Sequence, residues 1–256
     1  CCTMKVICIA NQKGGVAKTA TSAILASVLK QKGNRVLAID MDPQGSLSKQ
    51  VGATTEGHEV YEVLKGNVSA RDAIQSLERF DILPTSIILA GLEAELMTDV
   101  GKYFKLRDAI EEANLKDDYD YIIIDTPPSL GVPTVNAIVA ADGILVPTDA
   151  DCDSINGIVQ LSDTVRNVKK YCGVNPEILG IVFTKFDPRQ NNSKTMLELA
   201  MRVADMLHTK VFQTFIRGAV AVREAKSSSK DLVVSRPDSK VVLDYTSLAN
   251  EMLKEV

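Results

Sequence analysis

The sequence predicts an α/β fold, with a mostly parallel central sheet covered by helices on both faces. Three observations carry this. Apolar runs of strand length alternate with amphipathic helical runs along the chain. Several apolar runs are unbroken, as in Ile122-Ile123-Ile124, which fits strands shielded on both sides. The first run, Val6-Ile7-Cys8-Ile9-Ala10, leads into a glycine-containing turn, Lys13-Gly14-Gly15-Val16-Ala17-Lys18-Thr19, and then into a helical pattern. In such a sheet, ligands collect at the carboxyl ends of the strands.

The elements follow in order. A strand at 4–10 precedes the turn, and a helix runs over 19–32. Val36-Leu37-Ala38-Ile39 forms the body of a strand at 35–40 that ends in Asp40. Helix 69–76 and strand 79–84 follow, then helices 87–98 and 105–115. Strand 119–125 ends in Asp125-Thr126-Pro127-Pro128. Helix 132–140, strand 143–147, helix 154–171 and strand 178–184 continue the alternation, followed by helix 193–208 and a short strand at 211–215. A last helix over 238–255 carries Val241, Val242, Tyr245, Leu248, Ala249, Met252 and Leu253 on one face. Asp244, Glu251 and Glu255 oppose binding to an anionic membrane, so this helix reads as core packing. Ser227-Ser228-Ser229 is a loop, and no internal repeat or long linker interrupts the chain.

Composition sets bounds. Length 256 suits one domain over 4–256, with Cys1, Cys2 and Thr3 as residues left by expression and Met4 as the natural start. Apolar content of 45% and charged content of 24% are those of a soluble globular protein. No apolar run approaches the ~20 residues of a membrane span, and no signal peptide precedes the first strand. Cys8, Cys152 and Cys172 lack C-x-x-C spacing and read as reduced thiols of a cytoplasmic protein. A net charge of −4 excludes a uniformly basic nucleic-acid binder, but the distribution is uneven. Residues 185–240 hold eleven Lys/Arg against six Asp/Glu, while the remainder holds eighteen against twenty-seven.

The turn has the chemistry of a phosphate cradle. Gly14 and Gly15 let backbone N–H groups approach a polyphosphate, Lys18 can reach the β- and γ-phosphates, and the Thr19 hydroxyl can ligate Mg²⁺. In the usual pattern, G-x-x-x-x-G-K-[ST], glycines stand where this chain has Gln12 and Ala17, and an extra lysine, Lys13, precedes the glycine pair. Asp40 and Asp42, one residue apart at a strand end, can orient a water, accept its proton or hold a metal-bound water. Asp125, at the end of an apolar strand, can serve the metal's outer shell. Thr184-Lys185-Phe186-Asp187 is one residue from N-K-x-D, in which Lys stacks on guanine and Asp accepts its ring N–H.

The x-K-G-G-x-x-K-[ST] turn resembles the deviant Walker A motif of the ParA/MinD ATPases. Asp40-Met41-Asp42-Pro43-Gln44-Gly45 is similar to that family's D-x-D-P-Q-G switch, and Asp125 to Gly131 resembles its D-x-P-P-S-L-G switch. Asn136 and Ala140-Ala141-Asp142 also match family positions. The resemblance runs from Met4 nearly to the end and is nearest the Soj-like ParA branch. It implies a P-loop ATPase that binds ATP and Mg²⁺, with ADP after turnover. Residues Lys13 to Ala20 would wrap the phosphates, and Thr184 and Lys185 would flank adenine together with the loop near Glu224-Ala225. Thr19, Asp40 and Asp125 would serve the metal. Lys13, Lys18 and Asp42 would be catalytic, with Lys13 crossing to a partner's nucleotide and Asp42 positioning the water.

The same resemblance implies a homodimer formed around ATP and non-specific binding of double-stranded DNA. It also implies slow hydrolysis stimulated by a ParB-like centromere-binding protein, with the protein on the nucleoid. Arg189, in Asp187-Pro188-Arg189-Gln190-Asn191, resembles the family's DNA-contacting arginine, and Lys240, at the start of the last helix, matches the second basic position of a P-R-S-R segment. Arg217, Arg223, Lys226, Lys230 and Arg236 extend this basic third. Equally, such charges form a solvated face. The family's P-R-N-V-R stretch reads here Ile216-Arg217-Gly218-Ala219-Val220. Three alternatives stand beside partition: a MinD-like membrane ATPase, a metabolic or metal-delivery ATPase on the same fold, and a protein that binds nucleotide without hydrolysing it.

Overall fold

The computed structural model describes residues 4–189, 191–218 and 231–254. The strands are β1 (Lys5–Ile9), β2 (Val36–Asp40), β3 (Gln75–Ser76), β4 (Asp81–Leu83), β5 (Tyr121–Asp125), β6 (Gly143–Thr148) and β7 (Glu177–Phe183). They form one sheet in the order β3-β4-β2-β5-β1-β6-β7. Every neighbouring pair is parallel except β3 with β4. β5 lies between β1 and β2, and its register sets Asp125 opposite both Ile9 and Asp40.

The helices are α1 (Lys18–Gln31), α2 (Ser46–Val51), α3 (Val60–Leu64), α4 (Ala70–Ala73), α5 (Leu92–Glu95), α6 (Lys105–Glu112), α7 (Val132–Ala140), α8 (Cys152–Cys172), α9 (Asn191–Met206), α10 (Leu232–Ser235) and α11 (Lys240–Met252). Because strand side chains alternate, β1 feeds both cores. Val6 and Cys8 pack with Ile138, Ile158 and Ala200 of α7, α8 and α9. Ile7 and Ile9 pack on the other face with Leu25 and Leu29 of α1 and Leu248 of α11. The unbroken apolar strands are those buried on both sides, as expected.

Three expected elements differ. The helix expected over 69–76 stops after Ala73, because Ile74 turns extended (ψ 134°) and Gln75 pairs with Ile82 as the antiparallel edge. The Gln75 amide exchanges two bonds with the Thr54 backbone, at 3.0 and 2.7 Å, and holds that edge extended. The helix expected over 87–98 is a 3-10 turn (Ile87–Gly91) followed by α5. The strand expected over 211–215 is reduced to two isolated bridges, Val211 to Ile181 and Ile216 to Thr184. Between them the Glu251 carboxylate accepts the Gln213 and Thr214 N–H groups and the Thr214 hydroxyl at 2.8–3.1 Å, which removes them from the ladder. Helices α2, α3 and α10 were not anticipated. No helix among the described residues is long and apolar enough to cross a membrane.

Candidate nucleotide site

The β1–α1 turn folds as a cradle. Gly15 lies at φ +80° and Ala17 at φ +65°. The left-handed region suits glycine, and a residue with a Cβ pays roughly 1 kcal/mol to hold it. The position where the usual motif has glycine therefore keeps glycine's conformation here despite being alanine. Two of the turn's carbonyls have ammonium partners: Lys18 Nζ donates to the Lys13 carbonyl at 3.0 Å and Lys185 Nζ to that of Gly15, while the Thr184 hydroxyl oxygen lies 3.2 Å from the Val16 carbonyl. Burial lowers the Lys18 pKa, while Asp125 and Asp42 oppose the shift.

A cavity of about 660 Å³ opens above the turn. The wall includes Gly14, Gly15, Ala17, Lys18, Thr19 and Ala20, then Asp42, Gln44 and Ser46 after β2, and Pro128 after β5. Thr184, Lys185, Ile216, Arg217, Gly218 and Tyr245 complete it. That volume is in the range of small-molecule sites.

The three acidic residues divide the work. Asp42 faces the cavity, and its carboxylate accepts the Gln44 N–H at 3.0 Å, which shapes the turn. Asp40 is fully buried, and one oxygen takes both the N–H and the hydroxyl of Ser48 at 2.8 Å, while the other takes the Asp42 N–H at 3.1 Å. This carboxylate ties down the switch loop and α2. Asp125 is also fully buried. Its Oδ1 accepts the Ser22 hydroxyl at 2.9 Å, and its Oδ2 has no partner among the described residues. Burial, then the facing charge of the other carboxylate, raises the pKa of Asp125; burial first also raises that of Asp40. An orphaned carboxylate oxygen beside a second buried acid, with Thr19 in the cavity wall, fits a magnesium ion. No group of three or more His, Cys, Asp or Glu that could hold a metal exists among the described residues. That suits Mg²⁺, which is held through one or two carboxylates together with substrate phosphates.

Lys13 is not part of the cavity wall. Its ammonium pairs with Asp151, the N-cap residue of α8, whose other oxygen accepts the Ser154 N–H at 2.9 Å. Burial alone would raise the Asp151 carboxyl, but the Lys13 and Ser154 bonds outweigh it and leave it below its ordinary range. Asp151 was not anticipated. Its signal, Asp149-Ala150-Asp151 after an apolar strand, repeats the Asp40-Met41-Asp42 pattern.

The residues expected at the base and at DNA are placed as follows. Thr184 and Lys185 line the cavity. Asp187, the acid a guanine reader would need, does not line it. Its carboxylate accepts the Arg189 N–H and guanidinium at 3.0 Å, and Arg189 holds it below its ordinary range. Arg189 itself is exposed, with its side chain 88% accessible. Arg217 lines the nucleotide cavity, and its guanidinium forks onto Asp244 of α11 at 3.0 and 2.6 Å. Its charge is thus committed to the cavity rim. Lys240 is exposed at the first turn of α11, which Ser239 caps. Arg223, Lys226, Lys230 and the Glu224-Ala225 loop lie outside the described residues. Asn136 is buried and structural, holding Leu106, Lys102 and Val132 backbone groups at 2.7–3.1 Å.

A parallel sheet with a strand–cradle–helix turn, an orphaned strand-end acid and a second lysine outside the cradle defines a P-loop ATPase of the deviant kind. The AAA domain family matches residues 4–179. The chain is 37% identical over 252 residues to the sporulation initiation inhibitor protein Soj of Bacillus subtilis (strain 168), covering 97% of this chain and 98% of Soj. It is 36% identical over 254 residues to the chromosome partitioning protein ParA of Caulobacter vibrioides (strain NA1000 / CB15N), covering 98% and 94%. The crystal structure of cobyrinic acid a,c-diamide synthase from Mycobacterium smegmatis with bound ADP and magnesium superposes with a TM-score of 0.84 at 33% identity, covering 98% and 94%. The chain belongs to the ParA/Soj family of ATPases.

Proposed function

We propose that this protein is a DNA-partition ATPase that closes into a homodimer around ATP and Mg²⁺ and holds double-stranded DNA non-specifically on the nucleoid. A ParB-like centromere-binding partner then resets it by stimulating slow hydrolysis to ADP. Residues 4–256 act as one unit in this reading.

The placement of Lys13 carries it. The amine reaches past its own cradle to Asp151, where the two side chains remain 28% and 41% accessible. A pair that exposed is worth roughly 0–1 kcal/mol. A polyphosphate presented by a second copy offers more charge and shorter charge-assisted bonds, so the exchange of partners is favourable. When the terminal phosphate leaves, each half loses that contact, and Asp151 stands ready to take the amine back. Lys18 and the cradle N–H groups hold the phosphates, Thr19 and Asp125 serve the metal, and Asp42 orients water from the switch loop. Magnesium would add charge neutralisation between the phosphates. The partition role itself is supported by the relatives named Soj and ParA.

The test is retention on DNA with ATP, with ADP and without nucleotide, read beside the oligomeric state. The expected result is a dimer and retention with ATP alone. A protein that stays monomeric in all three conditions, with retention that ignores nucleotide, overturns the partition reading in favour of a metabolic ATPase on this fold.

A further inference from the structure

Asp149 lies at the turn between β6 and α8, outside the cavity wall. Its Oδ1 accepts the Thr184 hydroxyl at 2.9 Å and its Oδ2 accepts the Lys185 ammonium at 2.9 Å. The ammonium in turn holds the Gly15 carbonyl, while the hydroxyl, whose one proton goes to Asp149, lies with its oxygen 3.2 Å from the Val16 carbonyl. In a planar trans peptide the carbonyl and the following N–H point in opposite directions. Tying back the Gly15 carbonyl therefore turns the Val16 N–H the other way, as an anion cradle requires. The end of β6 braces the start of the loop, because the Pro147 carbonyl accepts the Asn11 amide at 2.8 Å and Asn11 accepts the Lys13 N–H at 3.0 Å. Ala17 needs such external support, since its left-handed backbone is not one it adopts unaided.

We infer that Asp149 is the positioning residue of the phosphate cradle, acting through Lys185 to aim the loop's N–H groups at a nucleotide's phosphates. The inference rests on the nucleotide reading above. It gives Lys185 a second duty, that of a clamp on the loop backbone. It also explains why a carboxylate, which can accept from a hydroxyl and an ammonium at once, stands at this position.

The test is calorimetric titration of the full chain with Mg·ATP, using Asp149→Ala, Asp149→Asn, Lys185→Met and the Asp149→Ala/Lys185→Met double variant, with Lys18→Ala as control. Asp149→Ala and Lys185→Met should each weaken ATP by about tenfold or more. The double variant should be no weaker than the worse single by more than about twofold, because both remove one clamp. Asp149→Asn, which keeps a neutral acceptor for the Lys185 ammonium, should fall between wild type and Asp149→Ala, and it carries the test if Asp149→Ala does not fold. Wild-type affinity in a folded Asp149 variant, even one with a lowered melting midpoint, overturns the inference, as do additive losses in the double variant. Wild-type protein that binds ATP no better than Lys18→Ala overturns the nucleotide reading itself, and this inference with it.

Discussion

At the residue scale, two lysines five residues apart in the same turn have opposite duties. Lys18 is buried and desolvated, and its pKa is lowered, so its charge is maintained by the acids around the cavity. Lys13 keeps contact with water and rests on a weak surface pair. Truncating Lys13 to alanine should abolish the ATP-dependent dimer, while nucleotide affinity stays within a few-fold of wild type. Sedimentation with ATP checks this, and a normal dimer in that variant removes the bridging role. Asp42→Ala should keep ATP and the dimer but lose hydrolysis by about 100-fold or more, as expected for a group that positions or deprotonates water. Phosphate release measured beside sedimentation separates the two effects. The legible parts of the site were those marked by short local motifs: Lys13 to Ala20, Asp42, Asp125, and Thr184-Lys185. What escaped was long-range. Asp151 meets Lys13 from 138 residues away and Asp149 meets Lys185 from 36, and nothing local to either marks which lysine each would reach.

At the element scale, the sequence located the strands that are buried on both faces and misplaced the marginal ones. Tyr121 to Asp125 is unambiguous because five successive residues are apolar or site-bearing. Residues 211–215 have strand-like composition, but the Glu251 carboxylate, nearly forty residues later, takes the N–H groups a ladder would need. Glu251 was legible only as a charge that opposes a membrane. Helix α2 was missed because its reason is tertiary: Asp40 bonds Ser48 and thereby fixes the loop that starts the helix. Gly45 caps α2 at φ +59°, and a Cβ there would lie 2.8 Å from the Thr85 carbonyl oxygen, which is backbone and cannot move aside. Gly45→Ala should therefore cost about 2–4 kcal/mol, combining left-handed strain with a forced contact. It should also slow hydrolysis by shifting Asp42. Urea unfolding checks the first part, and a variant as stable as wild type would mean that the switch loop relaxes freely.

At the scale of the whole molecule, the strand order brings the carboxyl ends of β1, β2 and β5 together, so that cradle, switch acid and orphaned acid meet at one edge. The alternation of elements predicted the class of sheet, while the insertion of β5 between β1 and β2 follows from packing that no local pattern records. The molecule is acidic overall, at −4, so a polyanion is repelled unless the basic third is presented to it. Arg217 is committed to Asp244, while Arg189, Arg236 and Lys240 are exposed candidates among the described residues. Arg189 must break its pair with Asp187 to reach phosphate, at a cost that is small for so exposed a pair. Each phosphate contact contributes a slope of roughly −0.9 to the dependence of log affinity on log salt. An Arg189→Ala/Lys240→Ala variant removes two contacts per chain, so the slope for a dimer should become shallower by about 3 to 4. ATP affinity should remain unchanged, because neither side chain lines the cavity. Retention on DNA measured from low to moderate salt decides it: an unaltered slope would assign DNA binding to other residues of the basic third.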